Sequence, residues 1–530
     1  MKKQLLLLAA AITAVSLTAC SSNSNNSSNS GAGASSSVPA SPASTASASS
    51  APGTAAPNAG IDDGKETMDI TLMVPQYAEI GPSSDSELVK KLDEKLNVKL
   101  DIQWIPGASY NDKISVLAAS NSLPDVYRVA TQDYMQWRDK GVFMDVKPSL
   151  ASYPNLTQYL PEEAWKELNG KDRYYGLPYY SIPHLFSMAI RQDWLDKLHL
   201  QMPATVDEFY NVAKAFVTDD PDGDGKNDTT GFSIIVDSDG KFENAEFLEG
   251  AFGLGNEWAL KDGKLVAMQA QTEELKAFIG FLNKAYSEGV LDKNFLVMKP
   301  ADARNKLWNG QVGIQRLNPN EALRLDEPNI QKNFPNAKLS QLLPAGPTGI
   351  RATQTDGMGQ TKVVINAKID PKKQQRILKL LDYMLSDEGY DLIKDGVEGV
   401  DYKKKDDGTY EKLETKDAGN LFSINFFRRA DSAIQLHKYN DQNYVKQVEQ
   451  WLDNNDKYDW PNYGLGLAAE TEVYKKVNFA TLNTKWMSTM VNIITGQAPI
   501  DDIDKAASDW LKNGGQQLTD EVNQIYQERQ

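Results

Sequence analysis

The sequence has little of the chemistry that thiol enzymes and transition-metal sites use. Its 530 residues include one cysteine, Cys20, and three histidines, His184, His199 and His437, which show no metal-ligand spacing. The motifs G-x-S-x-G and H-E-x-x-H and a phosphate-binding loop are missing as well. These absences exclude an intrachain disulfide and weigh against the common nucleophilic and zinc mechanisms. They leave a glycosidase open, because that chemistry needs only two carboxylates.

Long apolar segments are scarce, and the first is the run at residues 5–17, which follows two lysines. A membrane-spanning helix needs about 20 apolar residues, so this shorter run is typical of a secretion signal. It ends in Leu17-Thr18-Ala19-Cys20, which resembles the cleavage site of bacterial lipoproteins. We therefore predict a signal peptide at residues 1–19, cleavage before Cys20, and diacylglycerol and palmitate on that cysteine.

Charged and aromatic residues are absent from positions 21–60, which consist of small and polar residues with one valine. Such a composition cannot bury enough apolar surface to offset the loss of chain entropy. Residues 20–65 are therefore predicted to be the lipidated cysteine and a disordered tether, whose flexible part would span roughly 30–40 Å. A tether of that length favours the outer face of the plasma membrane of a Gram-positive cell.

Positive charge is also in deficit. The chain has 56 lysines and arginines against 72 aspartates and glutamates, which gives a formal net charge of −16 at pH 7. Nucleic acids and anionic lipids would be repelled by such a body, and no basic stripe with interleaved aromatic residues interrupts it. Nucleic acid is not expected as a partner, and a membrane is expected only through the lipid anchor.

From about residue 66 the composition becomes globular and sufficient for two domains or three. Alternating apolar residues predict strands, apolar residues at every fourth position predict a helix, and Ser84 with Glu87 predicts a capping box at its start. Regular alternation of strands and helices predicts a parallel sheet. The predicted order is strand 68–74, helix 88–96, strand 98–104, helix 110–119 and strand 123–129.

After residue 180 the pattern becomes mainly helical. Thr205 and Glu208 predict a capping box for a helix to about residue 217, and Thr272 is predicted to cap a helix that Gly289 ends. The remaining predictions are short strands at 311–315 and 362–366, a helix at 371–387, a hairpin at 403–413 and a pair of helices in the last thirty residues.

Several stretches resemble the extracellular solute-binding protein family 1, in the branch of long lipoproteins that includes alginate-binding and other oligosaccharide-binding proteins. Their order and spacing from about residue 70 to 530 carry the resemblance. The stretches are 175–178 (YGLP), 191–198 (RQDWLDKL), 203–209 (PATVDEF), 220–228 (DPDGDGKND), 383–390 (YMLSDEGY) and 494–496 (ITG).

The resemblance implies a periplasmic-binding-protein-like α/β fold with two α/β lobes, a ligand cleft between them and a hinge that closes on binding. The first lobe would comprise residues 66–178 and 348–430. The second, richer in helices, would comprise residues 179–347 and 431–530.

The family also implies a function and partners. The chain is expected to be a monomeric, non-enzymatic substrate-binding lipoprotein that delivers an extracellular solute, with an oligosaccharide expected, to the permease of an ABC importer. Other readings stay open: a surface-tethered glycoside hydrolase or polysaccharide lyase, a sensor or adhesion lipoprotein without transport, and a peptide as the solute.

An acidic loop is the sharpest local motif. Its carboxylates alternate around a glycine turn, and Ca²⁺ takes about six to eight oxygen ligands. Gly231 stands where such loops usually end in a bidentate glutamate, so another acid or water must complete the shell. We predict a structural calcium ion, with a solvated acidic turn as the alternative. The predicted ligands are Asp220, Asp222, Asp224, the carbonyl of Lys226, and Asp228.

Aromatic residues are numerous, with 10 Trp, 22 Tyr and 16 Phe, and many stand beside Gly, Pro or Asn. Sugars present apolar faces ringed by hydroxyls, so their sites combine aromatic rings with Asn, Asp and Arg. Open α/β sheets bind ligands outside the carboxyl ends of their strands. The predicted ligand-binding residues are Tyr77, Arg128, Asp133, Tyr179 and Tyr180, with Asn256, Trp258, Arg316, Asn318, Trp460 and Tyr463 from the second lobe.

Overall fold

The protein is described by a computed structural model over residues 60–76, 81–169, 172–236, 241–355, 357–358, 361–413, 428–430 and 442–529. The predicted signal peptide, Cys20 and residues 21–59 of the predicted tether lie outside these ranges, as does Tyr77. Residues 59–530 form one compact unit. In the part of the chain that is described, no helix combines the length and apolar character needed to cross a membrane.

Strands occur throughout the described residues. In chain order they are β1 (Met68–Gln76), β2 (Val98–Pro106), β3 (Val126–Val129), β4 (Leu177–Tyr179), β5 (Ser187–Arg191), β6 (Thr230–Phe232), β7 (Ile235–Val236), β8 (Phe242–Glu243), β9 (Trp258–Lys261), β10 (Lys264–Ala267), β11 (Val312–Leu317), β12 (Leu339–Leu342), β13 (Thr353–Gln354), β14 (Thr361–Ile365), β15 (Tyr402–Lys404), β16 (Tyr410–Lys412) and β17 (Asp459–Trp460).

Helices surround these strands. They are α1 (Glu87–Leu96), α2 (Gly107–Ala119), α3 (Thr131–Trp137), α4 (Pro154–Gln158), α5 (Glu162–Asn169), α6 (Gln192–Leu198), α7 (Val206–Thr218), α8 (Glu246–Ala251), α9 (Thr272–Ser287), α10 (Pro300–Trp308), α11 (Pro319–Glu321), α12 (Glu327–Gln331), α13 (Pro371–Leu385), α14 (Asp387–Asp395), α15 (Gln442–Asn455), α16 (Glu472–Lys476), α17 (Phe479–Ile494), α18 (Asp502–Trp510) and α19 (Gln516–Arg529). Short 3₁₀ turns include Arg138–Lys140 and Ala468–Glu470.

The first sheet has the strand order β2-β1-β3-β14-β4. β1 pairs in parallel with β2 and β3, whereas β14 is antiparallel to both β3 and β4. β4 therefore runs in the same direction as the first three strands. Helices α1 and α13 bury apolar faces against this sheet, as the fourfold spacing of Leu88, Leu92 and Leu96 predicts. The predicted opening strands and helices are confirmed.

The prediction for the start of α1 named the wrong serine. Ser86, not Ser84, precedes α1, and its side chain accepts a hydrogen bond from the Val89 amide. Ser84 accepts from the amide of Ile102 in β2 instead. Thr272 is likewise the first residue of α9, with no side-chain cap before it. The predicted cap at Thr205 is confirmed, because its hydroxyl accepts from the Glu208 amide at 3.2 Å.

The second sheet has the order β12-β5-β11-β6. β5 is antiparallel to its neighbours β11 and β12, and β6 is parallel to β11. Its core combines Phe209 and Phe216 of α7 with Phe278 of α9 and Met490 of α17. Residues separated by nearly 300 positions thus share one core, which holds the C-terminal helices against the second sheet.

Candidate ligand-binding site

Two segments of the chain connect the first sheet to the second. β4 ends at Tyr179, and residues 180–186 lead to the start of β5 at Ser187. Ser187 lies opposite Leu317, the carboxyl end of β11, and the chain returns to the first sheet from the end of β12. We call residues 180–186 the first crossing segment and residues 343–355 the second. Both run between the carboxyl ends of parallel strands, where α/β sheets bind ligands.

A cationic and aromatic group lies at this edge of the first sheet. Arg128, near the end of β3, and Tyr179, the last residue of β4, are 8% and 9% exposed. The guanidinium carbons of Arg128 and Arg428 lie 4.9 and 5.3 Å from the centre of the Tyr179 ring. These distances are within the range of cation–π attraction. The hydroxyl of Tyr110 fixes β3 here, since it bonds both the amide and the carbonyl of Arg128.

Lys362 lies on the opposite face of the first sheet from Arg128, because Val363 is the residue that pairs with Arg128. Lys362 in β14 pairs with Val129, and it is 4% exposed. Burial lowers the pKa of its ammonium group to about 7, against the opposing effect of Glu167. Asp133 in α3 and Tyr180 are half-buried, and burial raises the pKa of each.

The edge of the second sheet holds Arg316 in a defined position. Its guanidinium carbon lies 3.6 Å from the centre of the Phe186 ring, and its Nη2 donates to Gln354 Oε1 at 2.7 Å. Its Nε lies 3.4 Å from a carboxylate oxygen of Glu246. Both crossing segments therefore contact one arginine. Asn318 lies two residues further on, where its side chain caps α11 by accepting from the Asn320 amide.

His184 links the crossing segments to the chain at α15 and β17. Its Nδ1 lies 2.8 Å from Asp456, and its Nε2 lies 2.9 Å from the Thr355 hydroxyl and 3.1 Å from Asp459. The Asn455 amide donates to the His184 carbonyl at 2.8 Å. Three separate parts of the sequence are thereby joined between the two sheets.

Of the remaining predicted residues, three make contacts inside the protein and one is exposed. Asn256 donates to the carbonyls of Thr355 and Trp460, which fixes the pairing of β13 with β17. Trp460 is 8% exposed and donates to the Leu254 carbonyl. Trp258 is 5% exposed and packs in a core with the C-terminal helices, a position that favours a structural role. Tyr463 is 46% exposed.

The acidic loop brings its first three predicted ligands together. Carboxylate oxygens of Asp220, Asp222 and Asp224 lie within 4.8 Å of one another. The amides of Gly223 and Gly225, both at positive φ, donate to Asp220 and close the turn. Three carboxylates in one turn are the hard oxygen donors that Ca²⁺ takes, so the residues present fit that ion.

Packing explains why a glycine, and not a glutamate, occupies the last position of the loop. Gly231 belongs to β6, and a Cβ there would lie 2.6 Å from the carbonyl oxygen of Ala213 in α7. A glutamate cannot occupy this position without displacing the helix. Of the later predicted ligands, the ammonium group of Lys226 pairs with Asp224, and Asp228 is exposed. Burial, followed by the contact with Asp220, raises the pKa of Asp222.

Sequence prediction missed Arg428, Lys362, Phe186 and Glu246. A signal existed for Lys362, because a lysine inside the apolar strand TKVVI is unusual for a central strand. Arg428 has no local signal, since it reaches Tyr179 across about 250 residues of sequence.

Known proteins are similar in sequence to this chain over half of its length or more. The chain is 27% identical over 470 residues to lipoprotein LipO of Bacillus subtilis, covering 86% of this chain and 92% of LipO. It is 26% identical to the polygalacturonan/rhamnogalacturonan-binding protein YtcQ of the same organism, covering 83% of this chain and 88% of YtcQ. A third relative is the fructooligosaccharide ABC transporter substrate-binding protein FusA of Streptococcus pneumoniae, 30% identical over 54% of this chain and 56% of FusA.

Solved structures share the fold at low identity. The alginate-binding protein AlgQ2 without calcium ion superposes with a TM-score of 0.65 at 18% identity, over 87% of this chain and 98% of AlgQ2. An EF-hand mutant of S. pneumoniae FusA in complex with fructo-nystose gives a TM-score of 0.65 at 18% identity, over 87% of this chain and 99% of that one. The family model for bacterial extracellular solute-binding proteins matches residues 78–391, more than half of the sequence. The chain belongs to the bacterial extracellular solute-binding protein family.

Proposed function

We propose that this protein captures an oligosaccharide outside the cell and delivers it to the permease of an ABC importer. The observation that carries the proposal is the pairing of guanidinium groups with aromatic rings at both sheet edges: Arg128 with Tyr179 and Arg316 with Phe186. Rings can stack on the apolar face of a sugar while guanidinium groups bond its oxygens. Two relatives, one named for binding polygalacturonan and rhamnogalacturonan and one for the transport of fructooligosaccharides, support the choice of a carbohydrate ligand.

Capture would occur between two lobes. The first would comprise residues 66–178 and 348–430, and the second residues 179–347 and 431–530. The separate sheets and the crossing segments between them support this division. Closure would bring Tyr180 and Tyr463 with the two arginine pairs around the solute, and only the loaded, closed form would dock on the permease. Lipid on Cys20 would hold the protein at the outer face of the plasma membrane, and the similarity to a relative named a lipoprotein supports this.

A thermal-shift screen of the purified chain, lacking its first 20 residues, against neutral and acidic oligosaccharides tests this function. A ligand at 100 times its Kd adds about 2.7 kcal/mol, which for a chain of this size raises Tm by about 3 °C. Stabilisation by one glycan class without new reducing ends is expected. Release of reducing ends would instead indicate a glycosidase. Stabilisation by peptides alone would contradict the proposal that the ligand is an oligosaccharide.

We further propose that the acidic loop holds a structural Ca²⁺ ion. Asp220, Asp222 and Asp224 would supply side-chain oxygens, Lys226 a carbonyl and Asp228 a more distant carboxylate, with water in the place that Gly231 leaves. The carboxylate cluster supports the proposal, since a divalent cation offsets the repulsion among three negative charges.

Removal of calcium should destabilise the protein. EDTA is expected to lower Tm by about 3 °C and millimolar Ca²⁺ to restore it, because a bound ion stabilises by about 3–4 kcal/mol at saturation. Asp222→Asn should abolish the response to Ca²⁺. The matched control is Asp262→Asn, an exposed aspartate at positive φ in the β9–β10 turn. A wild-type Tm that ignores both EDTA and Ca²⁺ would refute the site.

A further inference from the structure

Gln354 lies in the second crossing segment and meets Arg316 there. Its Oε1 accepts a hydrogen bond from Arg316 Nη2 at 2.7 Å, and the residue is half-buried. It is the last residue of β13, where it pairs with Trp460 of β17. The side chain therefore belongs to a segment that connects the two sheets and touches the carboxyl end of β11.

The chemistry of Arg316 fixes the direction of the Gln354 amide. A guanidinium group has only donors, and an amide side chain has one acceptor oxygen and one NH₂ group. The oxygen must therefore face Arg316, and the NH₂ group is turned away from it. Among the described residues the structure gives this nitrogen no hydrogen-bond partner, and the nitrogen is in contact with solvent. Two N–H groups are thus aimed away from Arg316 with their bonds still to be made.

Both sides of this contact are held in place. The guanidinium carbon of Arg316 lies 3.6 Å from the centre of the Phe186 ring. On either side of Gln354, the amides of Thr353 and Thr355 donate to the carbonyls of Tyr458 and Trp460 at 2.7 and 3.3 Å. A donor that is already fixed in direction loses little conformational entropy when it binds a ligand.

We infer that Gln354 is a specificity-determining residue, whose amide N–H groups donate to a hydroxyl oxygen of the sugar held beside Arg316 and Phe186. The inference rests on the proposed capture of oligosaccharides and adds a residue that recognises the ligand. A sugar without an oxygen at that position would leave the amide without a partner after the lobes close. Such a mismatch is costly, because a buried donor that has lost its bond to water is then unsatisfied.

Two replacements of Gln354 separate donation from the positioning of Arg316. Gln354→Glu keeps an oxygen for Arg316 and removes both N–H groups, whereas Gln354→Met removes the oxygen as well. Calorimetry with 1-kestose, maltotriose, galactotriose and trigalacturonate first identifies the probes that the wild type binds. Both variants should bind those probes roughly tenfold more weakly. Their Tm without ligand should stay within about 2 °C of the wild type, which a general loss of structure would not allow.

Controls account for the added charge of Gln354→Glu. Trigalacturonate is measured in about 0.5 M salt, where repulsion between separated charges is screened. Gln201→Glu makes the same chemical change at an exposed position ahead of α7 and should bind as the wild type does.

Three results would overturn the inference, and they are distinguishable. Wild-type affinity in Gln354→Glu with weak binding in Gln354→Met would show that Gln354 only holds Arg316. Wild-type affinity in both variants would show that the amide does not contact the sugar. In either case the oligosaccharide function stands, whereas a folded wild type that binds no carbohydrate would refute that function and the inference together.

Discussion

At pH 9, the Glu249→Gln variant is expected to be more stable than the wild type by about 3–5 kcal/mol, or about 3–5 °C in Tm. Glu249 lies in α8 and is 8% exposed. Burial, followed by repulsion from Glu246, raises the pKa of its carboxyl to about 8. Its ionised form is therefore costly in the folded state, and glutamine removes that cost.

The sign follows from proton linkage. A glutamate in the unfolded chain titrates near its model value of 4.5, so below that pH both states hold the proton and the two proteins should be equally stable. As pH rises from 4.5 to 8, only the folded state keeps the proton, and wild-type stability is progressively lost. Above pH 8 the difference is constant.

Denaturant unfolding at pH 4, 6, 7.5 and 9 measures this profile. Glu273→Gln makes the same change of charge at an exposed site of α9 and should show no such trend. A Glu249→Gln variant whose advantage does not grow between pH 4.5 and 8 would contradict the assigned burial of the carboxyl.

Replacing Arg376 with methionine should destabilise the fold by about 3–5 kcal/mol, the usual cost of leaving a buried charge without its partner. Arg376 in α13 is fully buried, and its Nε and Nη2 each donate to a carboxylate oxygen of Asp62 at 2.6 Å. Its Nη1 donates to the carbonyls of Glu66, Leu96 and Asn97. One side chain thus holds the start of the described chain, the end of α1 and the turn into β2.

A double-mutant cycle separates the ion pair from packing. Adding Asp62→Leu to Arg376→Met should recover part of the loss, because the carboxylate is no longer buried alone. Lys91→Met, at an exposed position of α1, is the control and should change stability by less than about 0.5 kcal/mol. A loss below about 1 kcal/mol for Arg376→Met would show that water reaches Asp62.

Much of the fold could be predicted because its signals are local. The alternation in β1 and the fourfold leucine spacing in α1 depend on neighbours within one element, and both are confirmed. The cap of α1 could not be predicted as surely, since serines at 83, 84 and 86 offer the same chemistry. The choice depends on a tertiary contact: Ser84 is used by the amide of Ile102, which leaves Ser86 to cap the helix.

The candidate site was harder to predict, because it depends on contacts between distant parts of the chain. Arg128 was predicted because it follows a strand, a rule that sequence can apply, and Tyr179 because the family resemblance places it where the chain leaves the first lobe. Composition did not distinguish Tyr179 from Trp258, which stands beside a similar turn. Trp258 packs against residues some 200 to 260 positions later, including Leu467 and Trp510, and no local pattern reports that contact.

The pairing of Asp62 with Arg376 has a mechanical consequence. Strand β1 begins after this pair and runs away from it towards the crossing segments, so the pair lies at the opposite end of the first sheet. The pair ties residue 62 to α13 before the chain enters β1, so a force applied at Gly60 would reach α13 before it reaches β1. The contacts around His184 lie towards the other end of β1, so such a force would act away from the crossing segments.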